Sequence, residues 1–285
     1  MLLGATTIIL KIKGFIVESN FKVLMKPWIS SAVTALVFLL SSPSSFASQG
    51  HNCKSVTISG SSQWYPFSYR DSSNNLRGIA YQVAKMLFKR LDIDLIVDDP
   101  QPWKRTLMGL KHGRLDILSG AYWDAERAEN YDFSIPFSSD EVRLFVRNES
   151  LAKYPDLISL RGTTGSKPIG ISLGRVFEEN LKSHVKVIEP VSYESMIKML
   201  YLGRVEWFGL GLHNGQKLLK DLGYEDEISP LPYSIQTTPV HFMLSRNSNC
   251  SSLLKRMNRG LEALIKEGVI KEIIERETQN QILIK

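Results

Sequence analysis

Residues 113–137, GRLDILSGAYWDAERAENYDFSIPF, gather the side chains best suited to gripping a small organic anion. Arg127 can take a carboxylate through two parallel N–H bonds. Tyr122 and Trp123 supply rings that can hold an organic body. Asp124 reads as a helix N-cap, with Glu126 in the first turn and Arg127 at the third helical position. Residues 115–118 read as a short buried strand that Ser119-Gly120 turns. A strand running through a glycine turn into a helix start is where open α/β sheets place ligands. The plainer reading of Arg127 is a helix-terminal ion pair with Asp124 or Asp132.

Other chemistries lack their patterns. The five His are scattered, and no Cys or His spacing suits zinc. There is no GxxxxGK[ST] loop, no GxGxxG and no GxSxG elbow. The run Gly162-Thr-Thr-Gly-Ser-Lys167 has the wrong spacing for a phosphate loop and reads as a surface turn. No cofactor or metal is expected. Glu206 has no visible partner for acid–base work.

The elements that must position these residues alternate. Strands are expected at 55–59, 94–97, 115–118 and 141–147, with helices at 78–91 and 103–112. The alternation restarts after Asn148. Strands are expected at 169–172, 185–188, 206–209 and 240–244, and helices at 175–183, 193–201 and 214–222. Residues 250–277 form a helical tail interrupted at Gly260 and Gly268. This order argues for an α/β fold with a mainly parallel sheet. Gly113-Arg-Leu-Asp116 echoes Gly203-Arg-Val-Glu206, each after a helix and before an apolar strand, which suggests two lobes of similar topology.

The chain of 285 residues, 43% apolar and 22% charged, has ordinary globular composition. Residues 25–47 have the plan of a secretory signal: Lys26, an apolar core over 28–40, then Ser45-Phe46-Ala47 before a cut. Translation is expected to start at Met25, and cleavage to follow Ala47. An uncleaved anchor is the rival reading. Residues 1–47 hold four Lys and one Glu, so their removal lowers the net charge from +6 to +3. That balance is too weak to argue for nucleic acid or anionic membranes.

Both cysteines, Cys53 and Cys250, lie in the mature part. Export to an oxidising compartment favours a disulfide between them, worth about 5 kcal/mol in the chain-entropy model. Two buried free thiols are the alternative. A bond would tie the tail to the first lobe. The chain would then cross between lobes twice, near 141–147 and near 238–244, making a hinge that can close on a ligand.

The chain resembles bacterial extracellular solute-binding proteins of family 3, the periplasmic amino-acid-binding type, over residues 53–277. The carriers are Trp64-Tyr-Pro-Phe67, Gly113-Arg-Leu-Asp116, Gly120 through Glu126-Arg127, and Tyr131-Asp-Phe-Ser-Ile-Pro-Phe137. Pro102-Trp-Lys-Arg105 and the two cysteines resemble a subgroup. The resemblance implies a two-lobed α/β binding protein of type II, a Venus-flytrap with two crossover strands as hinge. It divides the chain into residues 48–142 plus 244–285 as lobe I and 143–243 as lobe II.

It also implies a non-enzymatic periplasmic receptor, monomeric, that closes on a carboxylate-bearing solute or amino acid and delivers it to an inner-membrane ABC permease. Arg127 falls at the carboxylate position. Gly120 and Tyr122 offer hydrogen bonds to the same end, Trp64 and Trp103 form aromatic walls, and Ser172, Arg175 and Val176 add contacts from lobe II. Three positions depart from the pattern. Gly211 stands where binders of α-amino acids place an Asp for the ammonium, Ser61 stands at an acidic position of lobe I, and Asp124 replaces a Thr. These leave open a ligand without an ammonium, or one held through water or Asn214. Two rival functions remain. One is a dehydratase-like enzyme using Glu206 or His213; the other is a sensor docking on a membrane signalling protein.

Overall fold

The computed structural model describes residues 53–279; the leader and its signal segment lie outside the described residues. The described strands are β1 Ser55–Ser59, β2 Gln63–Trp64, β3 Ser68–Arg70, β4 Leu76–Arg77, β5 Asp94–Val97, β6 Ile117–Tyr122, β7 Tyr131–Phe133, β8 Ser138–Arg147, β9 Thr164–Ser166, β10 Lys186–Ile188, β11 Trp207–Gly211, β12 Ile228–Pro230 and β13 Gln236–Ser245. Ten of them join in one sheet, in the order β10-β9-β11-β8-β13-β6-β1-β5, with β12 beside β8 and β7 beside β13. The pairs β1/β5 and β1/β6 at one end, and β9/β10 and β9/β11 at the other, are parallel. β2, β3 and β4 make a separate small sheet.

The two long strands cross between the ends. β8 pairs β13 through Ser138–Val142 and then β11 through Val142–Phe145. β13 pairs β8 through Gln236–Val240 and then β6 through Val240–Leu244. Alternation along β8 buries Asp140, Val142, Leu144 and Val146, and Phe145 between the last two is buried on the other face.

Both echoed motifs do the same structural work. Gly113 and Gly203 each end a helix at positive φ, 70° and 68°. The Asp116 N–H donates to Thr57 O at 3.1 Å, and its carboxylate accepts from Thr57 N at 2.7 Å. The Glu206 N–H donates to Thr164 O at 2.7 Å, and its carboxylate accepts from Thr164 N at 2.9 Å. Each acid thereby clamps the start of one parallel strand to the next.

Two expected features are corrected. Ser119-Gly120 does not turn the chain, because β6 runs on to Tyr122 with every residue buried. The expected strand at 169–172 is absent, and the strand lies earlier, at Thr164–Ser166, inside the run read as a surface turn. One cause explains both. A Cβ at Gly120 would stand 2.8 Å from the Trp64 ring, and one at Gly165 2.1 Å from the Trp207 ring. Glycine occurs at these two positions because an indole occupies the space a Cβ would take.

Each end of the sheet has its own side-chain cluster. Leu110, Leu115, Leu118, Ala121 and Met243 pack at one end, and Phe145, Met196, Ile197, Leu200, Phe208 and Leu219 at the other. Phe145 and Phe208 stack with ring centroids 4.8 Å apart; full burial of such a side chain is worth about 1.5–3 kcal/mol. The tail forms helices Leu254–Lys266 and Val269–Gln279, broken at Gly268, while Gly260 stays helical and packs against Leu87. Cys53 and Cys250 are bonded, with Cα atoms 5.2 Å apart. Glu277 in the last helix accepts from Tyr65 through its carbonyl and from Tyr69 through its carboxylate.

Candidate functional site

A cleft of about 1020 Å³ opens beside the crossing strands, at the upper end of the range for small-molecule sites. Residues 60–64, 100–104 and 120–122 and Arg127 line one wall; residues 168, 169, 171–173 and 190–194, Gly211 and Asn214 line the other. Of the expected site residues, Ser61, Trp64, Trp103, Gly120, Tyr122, Arg127, Ser172 and Gly211 meet here. Arg175 and Val176 do not line it. Arg175 is ion-paired with Glu179 at 2.7 Å, and the Val176 N–H donates to Gln236 Oε1 at 2.7 Å. A backbone donor already committed in this way is not free for a ligand.

Arg127 sits as its local sequence dictates. Asp124 caps helix Ala125–Asn130 by accepting from Arg127 N at 3.1 Å. The guanidinium carbon lies 5.8 Å from the centre of the Trp103 ring, and Nη2 donates to Gly170 O at 3.0 Å. Asp132, the alternative ion partner, is taken by Arg246 at 2.8 Å. Arg127 makes no ion pair among the described residues. Burial lowers its pKa from the ordinary value, opposed by the charges of Asp124 and Glu126. The indole N–H of Trp103 beside it is buried without a partner.

The other end of the site is built around a residue that the sequence reading did not single out. Asp140 on β8 is 2% exposed. It accepts from Trp64 Nε1 at 2.9 Å and from Tyr122 Oη at 2.7 Å. Burial pushes its carboxyl up from 3.8 to about 6, against the pull of those hydrogen bonds. Burial also drives the Tyr122 phenol well above its ordinary range, and the Asp140 charge adds to the rise. The available signal was positional: Asp140 falls in step with Val142 and Leu144 on the inward face of β8.

Asn214 and Tyr193 complete this wall. Asn214 Oδ1 accepts from Tyr65 N at 3.1 Å, and its side chain lies at the Tyr193 phenol, opposing a rise in that group's pKa. Burial pushes the Tyr193 phenol up to about 12. The Ser61 hydroxyl accepts from Gln63 N at 3.0 Å, and that of Ser172 from Gly174 N at 3.1 Å.

The two acid–base candidates lie elsewhere. Glu206 is held by Thr164, and neither it nor His213 lines the cleft. Burial lowers the His213 pKa, opposed by Glu141. No group of three or more metal-ligating side chains occurs among the described residues.

Known proteins share this sequence and shape. "Probable amino-acid-binding protein YxeM" of Bacillus subtilis (strain 168) is 25% identical over 277 residues, covering 92% of this chain and 98% of that protein. "L-cystine-binding protein TcyJ" of Escherichia coli (strain K12) is 25% identical over 217 residues, covering 74% of this chain and 77% of that one. The crystal structure of an amino acid ABC transporter substrate-binding protein, AbpA from Streptococcus pneumoniae, superposes with a TM-score of 0.66 at 18% identity, over 79% of this chain and 94% of that one. The fold is therefore the type II periplasmic binding fold, with β8 and β13 as the crossover strands. The sequence model of "Bacterial extracellular solute-binding proteins, family 3" matches residues 56–279, and the chain belongs to that family.

Proposed function

We propose that the protein is a periplasmic receptor that closes on a small carboxylate-bearing solute, an amino acid or a related compound, and hands it to an inner-membrane ABC permease. The observation that carries this reading is Arg127. It is a half-buried cation with no ion pair among the described residues, at the mouth of a cleft with Trp103 under its guanidinium. A carboxylate supplies the missing counter-ion through two N–H bonds. Support for the solute class comes from relatives named for binding amino acids and L-cystine.

In this reading residues 48–142 with 244–285 form one lobe and residues 143–243 the other. The disulfide and the contacts of the tail support that division. Gly120, Tyr122, Trp64 and Trp103 belong to the first lobe's half of the site, and Ser172 and Gly211 to the second. The protein acts as a monomer. The enzyme reading loses its two candidate residues, since Glu206 holds β9 and His213 lies off the cleft.

The test is isothermal titration calorimetry of wild type, Arg127→Ala and Arg127→Lys against amino acids and small carboxylates. Loss of the buried charge partner should weaken binding by about 2–5 kcal/mol in the Ala variant. The Lys variant should recover only part of that, because it lacks the planar fork. Undiminished binding by Arg127→Ala would refute the assignment.

A further inference from the structure

We propose that Glu277, in the last turn of the last helix, is a positioning residue for the cleft: it holds the hairpin of β2 and β3 from behind, so that Trp64 keeps its place in the cleft wall. This rests on the reading above that the cleft is the binding site.

The first observation is an acid that its own helix does not explain. Glu277 is 5% exposed and makes no ion pair among the described residues. It stands near the C-terminus of helix Val269–Gln279, the end where the helix dipole disfavours negative charge. An acid buried there is costly unless donors meet it. Two do. Tyr69 Oη donates to its Oε2 at 2.9 Å, and Gln82 Nε2 donates to its Oε1. Arg276 in turn donates to Gln82 Oε1 at 2.6 Å, which leaves the Gln82 amide nitrogen to face Glu277. The backbone carbonyl of Glu277 takes a further bond, from Tyr65 Oη at 2.8 Å. Burial, and then the Glu277 charge, push the Tyr65 phenol up to about 12.

The second observation is that the hairpin has two sides. Trp64 and Tyr65 adjoin in sequence and meet different neighbours in space. Trp64 lines the cleft, donates to Asp140 and stands edge-on to the Tyr122 ring at 5.3 Å. Tyr65 does not line the cleft; its ring meets Tyr69 edge-on at 4.9 Å, and its hydroxyl goes to the tail. The pairing of Gln63 with Tyr69 and of Trp64 with Ser68 ties the two sides together. The Tyr65 N–H also reaches Asn214 on the opposite wall, at 3.1 Å. One residue thus links the tail to both walls.

The third observation is how little else holds this segment. β2, β3 and β4 have two, three and two residues, and they are not joined to the main sheet. Strands so short need outside support. Pro66 O and Phe67 O accept from Ile79 N and Ala80 N, each at 2.9 Å, which fixes the turn. The Tyr65 and Tyr69 hydroxyls are the hold of the strands on the tail. A binding side chain must be kept within about 0.5 Å of its working place by such supports.

The experiment compares wild type, Glu277→Ala, Glu277→Gln, Tyr65→Phe and, as a control destabilised elsewhere, Glu206→Ala. Two quantities are measured on the purified proteins. One is hydrogen–deuterium exchange of peptides covering residues 61–70 with no compound added. The other is calorimetric affinity for the standard L-amino acids and L-cystine. We expect Glu277→Ala and Tyr65→Phe to speed exchange at 61–70 by at least about threefold and to weaken binding by about threefold to tenfold. Glu277→Gln keeps an acceptor for Tyr69 and should recover part of both losses. Glu206→Ala should leave both quantities near wild type. The affinity loss of Glu277→Ala should shrink to less than about twofold when Trp64→Ala is already present, because the two changes act along one path. A merely structural role would give the same loss in either background.

Exchange at 61–70 that rises equally in Glu277→Ala and Glu206→Ala overturns the inference. So does unchanged affinity, or a loss that persists in full beside Trp64→Ala. If Glu277→Ala fails to fold, Tyr65→Phe and Glu277→Gln give the same comparison. If no compound binds wild type, the receptor reading falls, and exchange at 61–70 alone decides whether the tail positions the hairpin.

Discussion

Asp140 is costly to a protein that holds no ligand. Its carboxyl titrates near 6 in the folded chain against 3.8 ordinarily. The folded state therefore binds more protons than the unfolded state between those values. The associated stability is fully present below about pH 4 and is lost as pH rises through about 6, an effect of about 3 kcal/mol at most. We predict that Asp140→Asn makes the ligand-free protein as stable as wild type or more so at pH 7. It should also flatten the decline in stability between pH 4 and 6, as denaturant melts at a series of pH values would report. A loss of stability in Asp140→Asn at pH 7 would contradict this. Arg127 was visible in the sequence because a cap, an acidic first turn and an arginine stand together in WDAERAEN. Asp140 was not, because a single Asp among SSDEV looks like a solvated strand end until pairing with β13 fixes which face it occupies.

At the scale of elements, strands with strong local signals were legible. Those at Ser55–Ser59 and Asp94–Val97 and the helix Tyr193–Tyr201 match the expected bounds. The two misread segments share a reason: glycine and serine punctuate chains locally, but in β6 and β9 they are there to admit Trp64 and Trp207 from distant parts of the sequence. Gly165→Ala should therefore cost about 1–3 kcal/mol by overpacking against Trp207, measured by urea unfolding; a neutral result would refute the packing argument. The echoed acids make a second prediction at this scale. Asp116→Ala and Glu206→Ala should each lose about 1–3 kcal/mol of stability and leave ligand affinity within about twofold. A Glu206 variant that is stable yet inactive in a turnover assay would restore the enzyme reading instead.

For the whole molecule, two strands carry the chain between the halves of one sheet, and a disulfide anchors the tail helices to β1. The bonded cysteines are 197 residues apart, a loop for which chain entropy gives about 5 kcal/mol before any offset. Reductant should accordingly lower the melting temperature of wild type. A Cys53→Ser/Cys250→Ser variant should melt at the reduced value whether or not reductant is present. An identical melt for oxidised and reduced wild type would show that the bond does not constrain the unfolded chain. The two-lobed plan was legible from the alternation of elements and from one four-residue echo. The proposed site was only half legible, because Asp140 reaches the cleft wall through the pairing of β8 with β13 and β11.

The central claim, a receptor whose cleft takes a carboxylate on Arg127, is tested most directly by thermal shift of wild type and Arg127→Ala against amino acids and their deaminated counterparts. A ligand at a hundredfold its dissociation constant adds about 2.7 kcal/mol, a rise of about 2–4 °C per kcal/mol for a chain of this size. The account predicts such a rise for wild type with at least one amino acid, and its loss in Arg127→Ala. An equal rise in both proteins, or none in wild type with any compound, would contradict it.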